Sequence, residues 1–341
     1  MKVLCMHAAG LGELVAMSLA ADVNAQIVYA DDSATMINTK APESKLGSLS
    51  YVKNCFVVIG SVPRRRDLGQ AVEPLSRQLP RWSLQRTGKP YRLMFSENGK
   101  LTGVPANGRS RLEAAVSKAT GGRLLARGGG DEYWAIARSG LDEVLFCRRL
   151  ARPKRAEPPK GALAPDVAQL IVNAIGRNRG SDVVLDPFAG SGALIAARIS
   201  RPYREAICSD LGYADGSVKL QPQLARRSDV RRLSDDARTL ASIPDDSVDV
   251  VLTDPPWGEF DQQESSPIVL IEDALRSIRR VLRDNGSLAM LVARRLADDV
   301  AQEWSSAGFT TKKSYDLLIN GHPATLLVGS PTATSTNDQQ H

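Results

Sequence analysis

The second half of the chain alternates between short strand-like segments and helical segments, and this alternation constrains the fold more than any other feature. Strands are predicted at 183–186, 206–210, 229–233, 248–254 and 287–292, and helices are predicted at 165–175, 191–199, 268–282 and 296–307. Strands joined through helices make right-handed crossovers, which place them parallel in one sheet covered on both faces. The last two segments, 311–319 and 324–329, are separated by only NGHP and must pair as an antiparallel hairpin.

The first half of the chain predicts a smaller α+β region. Strands are expected at 3–6, 25–29, 55–59, 91–95, 133–137 and 144–147, and helices at 10–21 and 109–120. The stretch RRLARPKRAEPPK (148–160) is rich in proline and basic residues, which is typical of a linker. We therefore expect two N-terminal segments (1–60 and 61–147), a linker (148–160), an α/β domain (161–330) and a disordered polar tail (331–341).

Charge is divided unevenly along the chain. Residues 1–160 contain 25 Lys and Arg against 14 Asp and Glu, whereas residues 161–341 contain 19 against 24. This asymmetry suggests that the front half holds a polyanion, although a solvated Arg-rich surface explains it equally well. No apolar run approaches the roughly 20 residues of a membrane span, and no signal-peptide pattern opens the chain. From these two observations we expect a cytoplasmic protein with no membrane segment. The four scattered cysteines form no CxxC pair, so we also expect no metal site.

The segment VVLDPFAGSG (183–192) predicts a ligand-binding turn. An apolar strand ends in Asp186 and passes Phe188 and a glycine-containing turn into a helix. Gly190 and Gly192 allow the backbone to approach a ligand where a Cβ atom would clash. A dinucleotide fingerprint would require GxGxxG, which is absent, so a different nucleotide-like ligand is expected here.

Carboxylates follow the next two predicted strands. Asp210 closes the strand after the glycine turn, where a carboxylate can accept hydrogen bonds from both hydroxyls of a ribose. Beyond the third strand, Asp235 or Asp236 and the N–H of Ala237 could recognise an adenine ring. Helix capping is the alternative interpretation for these aspartates, and the sequence alone does not separate Asp235 from Asp236.

The segment Asp254-Pro255-Pro256-Trp257 follows the strongly apolar strand VDVVLT. Two consecutive prolines fix φ, which holds the Asp254 carboxylate and the proline carbonyls as preorganised acceptors for an amino group. Trp257 offers a large aromatic face on which a flipped-out base could stack. The motif therefore predicts chemistry at an exocyclic amine of a planar ring.

DPFAGSG and DPPW together resemble the motifs of THUMP-containing RNA N2-guanine methyltransferases. The opening MKVLCMHAAGLGELVAMSL resembles the ferredoxin-like start of that family, with Gly12 and Glu13 in its GLE-like helix. The segment KGALAPDVAQLIV (160–172) is similar to the helix that precedes the family's glycine loop. The resemblance implies a Rossmann-like class I methyltransferase domain, with a seven-stranded sheet and an antiparallel C-terminal hairpin, preceded by an α+β ferredoxin-like and THUMP-type region.

The resemblance also implies a cofactor, a substrate and site residues. S-adenosyl-L-methionine would be held by Asp186, Phe188, Gly190, Gly192, Asp210, Asp236, Ala237 and Asp254. The catalytic residues would be Asp254, Pro255, Pro256 and Trp257. The basic charge of the front half, and not the resemblance, assigns the contacts with RNA phosphates to Arg64, Arg65, Arg66, Arg148, Arg149 and Arg152. The implied activity is methylation of the N2 amino group of a guanosine in RNA, with tRNA as the expected partner.

Two alternatives stay open. Many relatives carry Asn first and Tyr or Phe last in the catalytic motif, whereas this chain has Asp254 and Trp257. DPPW also occurs in N6-adenine methyltransferases acting on DNA or RNA, so adenine is the alternative target. A non-catalytic RNA-binding module that only senses the cofactor is the third possibility, against which the intact DPPW and glycine loop argue.

Overall fold

The computed structural model describes residues 1–153, 162–258, 266–319 and 321–333. These residues belong to two compact units: a first unit of Met1–His7 and Val15–Arg155, and a second unit of Ala8–Leu14 and Ala156–His341. Most of the linker predicted at 148–160 and of the tail predicted at 331–341 lies outside the described residues, so both stay predictions.

In the described part of the first unit, eight strands form one sheet. They are β1 (Lys2–Met6), β2 (Gln26–Ala30), β3 (Ala34–Asn38), β4 (Asn54–Pro63), β5 (Tyr91–Glu97), β6 (Lys100–Leu101), β7 (Asp131–Ala137) and β8 (Glu143–Arg149). Their order is β2-β3-β1-β4-β8-β7-β5-β6, and the pairs are antiparallel except for β5 with β7. The helices along this part of the chain are α1 (Gly12–Val23), α2 (Glu43–Ser48), α3 (Leu68–Gln78) and α4 (Ala106–Thr120).

Strand β4 crosses the boundary that the sequence predicts at residue 60. It pairs with β1 along one edge and with β8 along the other, so both predicted N-terminal segments contribute to one sheet. Two clusters of buried side chains pack on this sheet, and the larger lies beneath α3 and α4, with Val72, Leu75, Leu112 and Val116 fully buried. The division into 1–60 and 61–147 stays a prediction.

In the described part of the second unit, seven strands form a sheet in the order β11-β10-β9-β12-β13-β15-β14. They are β9 (Val183–Asp186), β10 (Glu205–Ser209), β11 (Val230–Leu233), β12 (Val248–Thr253), β13 (Leu282–Ala293), β14 (Phe309–Ile319) and β15 (His322–Pro331). The first five are parallel, and β15 runs antiparallel to both β13 and β14. The predicted parallel sheet with a C-terminal antiparallel hairpin is therefore confirmed.

Helices cover this sheet and leave a crevice at its centre. They are α5 (Pro165–Ile175), α6 (Ala193–Arg198), α7 (Gly212–Asp215), α8 (Pro222–Ala225), α9 (Pro267–Val281) and α10 (Ala297–Ser306). Strand β9 lies between β10 and β12. The chain therefore continues from β9 to β10 and β11 on one side and then crosses back to form β12 on the other side of β9. Such a switch point opens a crevice outside the carboxyl ends of the strands, which is where ligands bind in sheets of this kind.

A buried ionic network fixes the opposite, amino end of β9. The Asp182 carboxylate, with no exposed surface, accepts hydrogen bonds from Arg177 Nε and Arg198 Nη2, each at 2.9 Å. The Asp249 carboxylate accepts from Arg177 Nη2 at 3.0 Å and from Arg283 Nη1 at 2.6 Å. It also accepts from the backbone N–H of Val183, the first residue of β9, at 3.0 Å. The network thus ties β9 and β12 together at the end away from the crevice.

None of the helices in the described ranges is both long enough and apolar enough to cross a membrane.

Candidate functional site

The crevice contains a cleft with two adjoining lobes of about 530 and 750 Å³. Clefts of this size suit small-molecule ligands and cofactors. Both lobes are lined by the same four residues at their junction, which are Phe188, Ser217, Val218 and Asp254. The junction therefore lies beside the carboxyl ends of β9 and β12.

The first lobe is built on the glycine turn after β9. Gly190 has a φ of +50°, and a Cβ atom there would project into open space, so this residue leaves room for a ligand. Its N–H donates to Asp210 Oδ2 at 2.9 Å, and its carbonyl accepts from the Tyr213 hydroxyl at 2.7 Å. Tyr213 thus supports the turn, a role that no sequence motif indicated.

Gly192 serves the turn in a different way. It has a φ of +86°, and a Cβ atom would lie 2.5 Å from Leu224 Cδ1. Gly192 lines neither lobe. Its small size is therefore required by packing of the loop itself, whereas Gly190 opens the lobe to a ligand.

Asp210 follows β10 and faces the second lobe. Its Oδ1 accepts from the N–H of Gly212 at 2.9 Å, and its Oδ2 is bonded to Gly190. A carboxylate offers about four acceptor positions, so two remain for hydroxyl groups of a ligand. The same side chain thus shapes the glycine turn and can bind a diol.

The DDA segment after β11 also lines the second lobe. Asp235 accepts from the backbone N–H and the hydroxyl of Ser242, both at 2.8 Å. Asp236 forms an ion pair with Arg238 at 2.6 Å, and this guanidinium lowers the pKa of Asp236. Ala237 is buried beside them. Because both aspartates face the lobe, the structure does not separate them, and Asp236 stays the predicted contact.

Acidic groups converge on the cleft from three strands. Asp186 is buried and accepts from the Phe188 N–H at 3.1 Å. Burial raises its pKa well above the ordinary value, and the nearby carboxyls of Asp254 and Asp210 raise it further. A cation bound in the cleft would favour the ionised forms of these carboxyls and would be stabilised by them.

Asp254 lies where the two lobes meet. It directly follows β12, is half-buried and lines both lobes. Burial raises its pKa to about 7, and this shift is opposed by a hydrogen bond from Trp257 Nε1 to Asp254 Oδ1 at 3.0 Å. Asp254 and Gly190 line the same lobe, as the sequence motifs require if they serve one reaction.

The other residues of the DPPW segment differ in their exposure to the cleft. Pro256 lines the second lobe, while Pro255 is buried and lines neither. Trp257 is half-buried and also lines neither lobe, and its backbone carbonyl accepts a hydrogen bond from Arg295. Stacking of Trp257 on a base therefore stays a prediction, and what the structure brings together is the indole N–H and the Asp254 carboxyl.

Four of the six arginines predicted to contact RNA are engaged within the protein. Arg64 bonds to Glu97 and to the carbonyl of Arg138, and Arg148 and Arg149 pair with Glu43 and Glu132 at 2.6 and 2.9 Å. The guanidinium of Arg152 donates to the backbone carbonyls of Leu49 and Lys53. Arg65 and Arg66 are exposed.

A second set of cations in the first unit was missed by the sequence analysis. The segment 86–89, which precedes β5, runs beside residues 121–123, which follow α4, as the hydrogen bond from the Gly88 N–H to the Thr120 carbonyl at 2.9 Å shows. Within the described ranges, its exposed cations form no ion pair; they are Arg86, Lys89, Arg123 and Arg127. We call these four residues the basic patch. The glycine-rich context GGRLLARGGG was the available signal.

No cluster of histidine, cysteine, aspartate or glutamate in the residues that the structure describes is arranged to hold a metal ion.

Comparison with known proteins supports a methyltransferase fold. Residues 218–320 match the family model described as "RMKL-like, methyltransferase domain". No curated protein matches the sequence. Among solved structures, TrmN from Thermus thermophilus superposes with a TM-score of 0.72 at 19% identity, covering 97% of this chain and 99% of that one.

Two further structures match over almost the whole chain. A predicted N6-adenine-specific DNA methylase from Listeria monocytogenes gives a TM-score of 0.68 at 15% identity, covering 97% of this chain and 96% of that one. SMU.472, a putative methyltransferase complexed with SAH, gives 0.66 at 12% identity, covering 98% and 99%. At these identities the likeness establishes the fold, and the second unit has the class I methyltransferase fold.

Proposed function

We propose that the protein transfers the methyl group of S-adenosylmethionine to the exocyclic N2 amino group of a guanosine in tRNA. One observation carries the proposal: Asp254, an acceptor for an amine, lies at the junction of the two lobes that the glycine turn and the Asp210 carboxylate form. An RNA substrate of this kind implies that the protein works in the cytoplasm.

The two lobes fit S-adenosylmethionine. The free acceptor positions of Asp210 suit the ribose hydroxyls, and Asp236 with Ala237 suits the adenine edge. The open space at Gly190 accommodates the amino-acid portion, and the converging carboxyls favour the positive charge of the sulfonium and ammonium groups. SMU.472, which shares the fold, is described as a complex with SAH. When bound, the cofactor supplies an activated methyl group.

The residues of this chain contribute positioning and electrostatics. Asp254 accepts a hydrogen bond from one N–H group of the target amine, and the fixed φ angles of the prolines restrict the position of this acceptor. The Pro255 carbonyl stays the predicted second acceptor, although Pro255 lines neither lobe. A carboxylate with a pKa of about 7 is also suited to take up the proton that the amine releases.

The acceptor chemistry of Asp254 favours guanine over adenine. Guanine carries N1–H beside its N2 amino group, so an ionised carboxylate, which only accepts hydrogen bonds, faces two donors. Adenine carries an N1 acceptor beside its N6 amino group, which repels an ionised carboxylate but would match a protonated one. Adenine stays the second candidate because the Listeria protein with the same fold is described as a predicted N6-adenine-specific methylase.

The experiment that tests this proposal incubates the protein with labelled cofactor and tRNA transcripts, followed by nucleoside analysis. We expect label in N2-methylguanosine. A transcript with inosine in place of guanosine lacks the 2-amino group and should accept no label. Label in N6-methyladenosine would instead support the adenine alternative. RNA binding without any transfer would favour a non-catalytic RNA-binding module.

Asp210→Ala is expected to weaken cofactor binding by at least about 10²-fold. The substitution removes two charge-assisted hydrogen bonds to the ligand, each contributing roughly 1.5–3 kcal/mol, and releases the N–H groups of Gly190 and Gly212. Calorimetric titration of the cofactor measures the effect. Asp229→Ala is the matched control, because Asp229 pairs with Arg227 before β11 and lines neither lobe. Unchanged affinity in Asp210→Ala would contradict the assignment.

Substrate delivery is assigned to exposed cations of the first unit, including Arg65, Arg66 and the basic patch. RNA affinity is expected to fall steeply with salt, because each phosphate contact releases a counterion. Replacing Arg86, Lys89 and Arg123 together with alanine should reduce the slope of log affinity against log salt by about one per lost contact. Arg148→Ala is the control, since its guanidinium is bonded to Glu43. A slope unaffected by the triple substitution would exclude the patch from RNA binding.

A further inference from the structure

Trp257 contacts the carboxyl group on which the proposed function depends. Its indole Nε1, which can only donate, lies 3.0 Å from Asp254 Oδ1. The two residues between them are prolines, whose fixed φ angles restrict the backbone separation of donor and acceptor. In the described chain we find no other side-chain donor within hydrogen-bond distance of the Asp254 carboxyl.

The ring of Trp257 is placed differently from the residues that border the cleft. Asp254 lines both lobes and Pro256 lines one, whereas Trp257 lines neither. Its backbone carbonyl is bonded to Arg295, which follows the neighbouring strand β13. The aromatic residue that does line both lobes is Phe188, in the glycine turn. An aromatic face is thus available at the junction without Trp257.

We infer that Trp257 is a positioning residue that acts on methyl transfer through its indole N–H, which fixes the Asp254 carboxyl, and not through stacking of its ring. This inference rests on the proposed function. One carboxyl oxygen is held by the indole, which leaves Oδ2 to accept from the target amine. Burial disfavours the ionised form of Asp254, and the hydrogen bond from Trp257 opposes this effect by stabilising the carboxylate.

Other charged groups also border the cleft in which Asp254 lies. The carboxyl of Asp254 raises the pKa of Asp186 at the end of β9, so these two groups disfavour each other's ionised forms. The first lobe also contains Lys219, and the second contains Arg238 together with Asp235 and Asp236. These groups are unchanged by substitutions at residue 257, so a titration difference between variants reports the indole N–H.

Two substitutions separate the N–H from the ring. Trp257→Phe keeps an aromatic ring and removes the donor. Trp257→Gln removes the ring but places an amide nitrogen the same number of bonds from the backbone as the indole nitrogen. Trp134→Phe is the matched control, because Trp134 Nε1 donates to a carboxylate, Glu132 Oε2 at 3.2 Å, in the first unit.

The direct readout is the titration of Asp254 in the cofactor-free protein, followed by carboxyl ¹³C NMR and assigned with Asp254→Asn. Removing the donor should raise the Asp254 pKa by about one unit in Trp257→Phe, while Trp257→Gln and Trp134→Phe stay near the wild-type value. Because the ionised form is active, kcat/KM is lost as pH falls through this pKa. Trp257→Phe should therefore lose about fivefold in kcat/KM at pH 7 and recover most of it at pH 9.

The outcomes distinguish the inference from the proposed function. An unchanged Asp254 titration in Trp257→Phe, or higher activity of Trp257→Phe than of Trp257→Gln at pH 7, would overturn the positioning role in favour of stacking. If Trp257→Phe does not fold, the comparison of Trp257→Gln with wild type decides, since a positioning role predicts a retained pH profile. Failure of the wild-type protein to methylate guanosine would refute the proposed function while leaving the titration result interpretable.

Discussion

An Asp254→Ala variant is expected to lose about 10³-fold in kcat/KM for methyl transfer while its cofactor binding stays measurable. Removal of one preorganised hydrogen-bonding group from an active site typically costs 10²–10³-fold, and here the same group is also positioned to take a proton. Asp254 lies at the junction of both lobes, whereas the cofactor contacts assigned to Asp210 and Gly190 are elsewhere in them. Single-turnover transfer assays combined with cofactor titration separate the two effects.

Asp254→Asn is the control for folding. The pKa of Asp254 is about 7 in the folded protein and near its ordinary value of 3.8 in the unfolded chain. Between these pH values the folded protein binds more protons than the unfolded chain, so the stability contributed by this group is lost as pH rises toward 7. Asparagine does not ionise, so its contribution to stability does not fall as pH rises. Asp254→Asn should therefore unfold at a higher temperature than wild type at pH 8. For the first variant, methyl transfer by Asp254→Ala at the wild-type rate would contradict the proposed role of the Asp254 carboxyl.

Asp182→Ala is expected to destabilise the second unit by about 3–5 kcal/mol, which is typical for breaking a buried ion pair by removing one partner. The substitution leaves the guanidinium of the fully buried Arg198 and part of that of Arg177 without their carboxylate. Denaturant unfolding followed by tryptophan fluorescence measures the change, since Trp304 is buried in the core of this unit.

Asp229→Ala serves as the matched control for this substitution as well. Asp229 also bonds to an arginine and lies near the amino end of a strand of the same sheet, but its ion pair with Arg227 is exposed to solvent. Exposed ion pairs contribute little to stability, so this variant should unfold close to wild type. Equal losses of unfolding free energy in the two variants would show that burial of the Asp182 network adds nothing to stability.

The parts of the fold that were predictable are those with strong local patterns. The strand 183–186 and the hairpin formed by β14 and β15 follow from apolar runs and a short connection. Helix α3 was missed because Gly69 and Pro74 interrupt its sequence. It forms nevertheless because Asp67 caps its first turn and Leu68, Val72 and Leu75 are buried beneath it. Packing there outweighs local propensity.

The candidate site, like the fold, was predictable only in part. The positions of Asp186, Asp210 and Asp254 at the carboxyl ends of three parallel strands predicted that they lie around one cleft, because parallel strands end at one edge of a sheet. Contacts that depend on side-chain direction were not predictable, and the bond from Trp257 to Asp254 is one of them. Neither was the pairing of Arg148 with Glu43, since 105 residues separate the two in the chain.

The central claim is that Asp254 presents an RNA guanosine amine to the cofactor, and the modified nucleosides of tRNA from cells with and without this protein test it most directly. We predict that N2-methylguanosine decreases at one position when the protein is absent and is restored by the wild-type gene but not by Asp254→Ala. Unchanged N2-methylguanosine together with loss of N6-methyladenosine, or with no change in any nucleoside, would contradict the account.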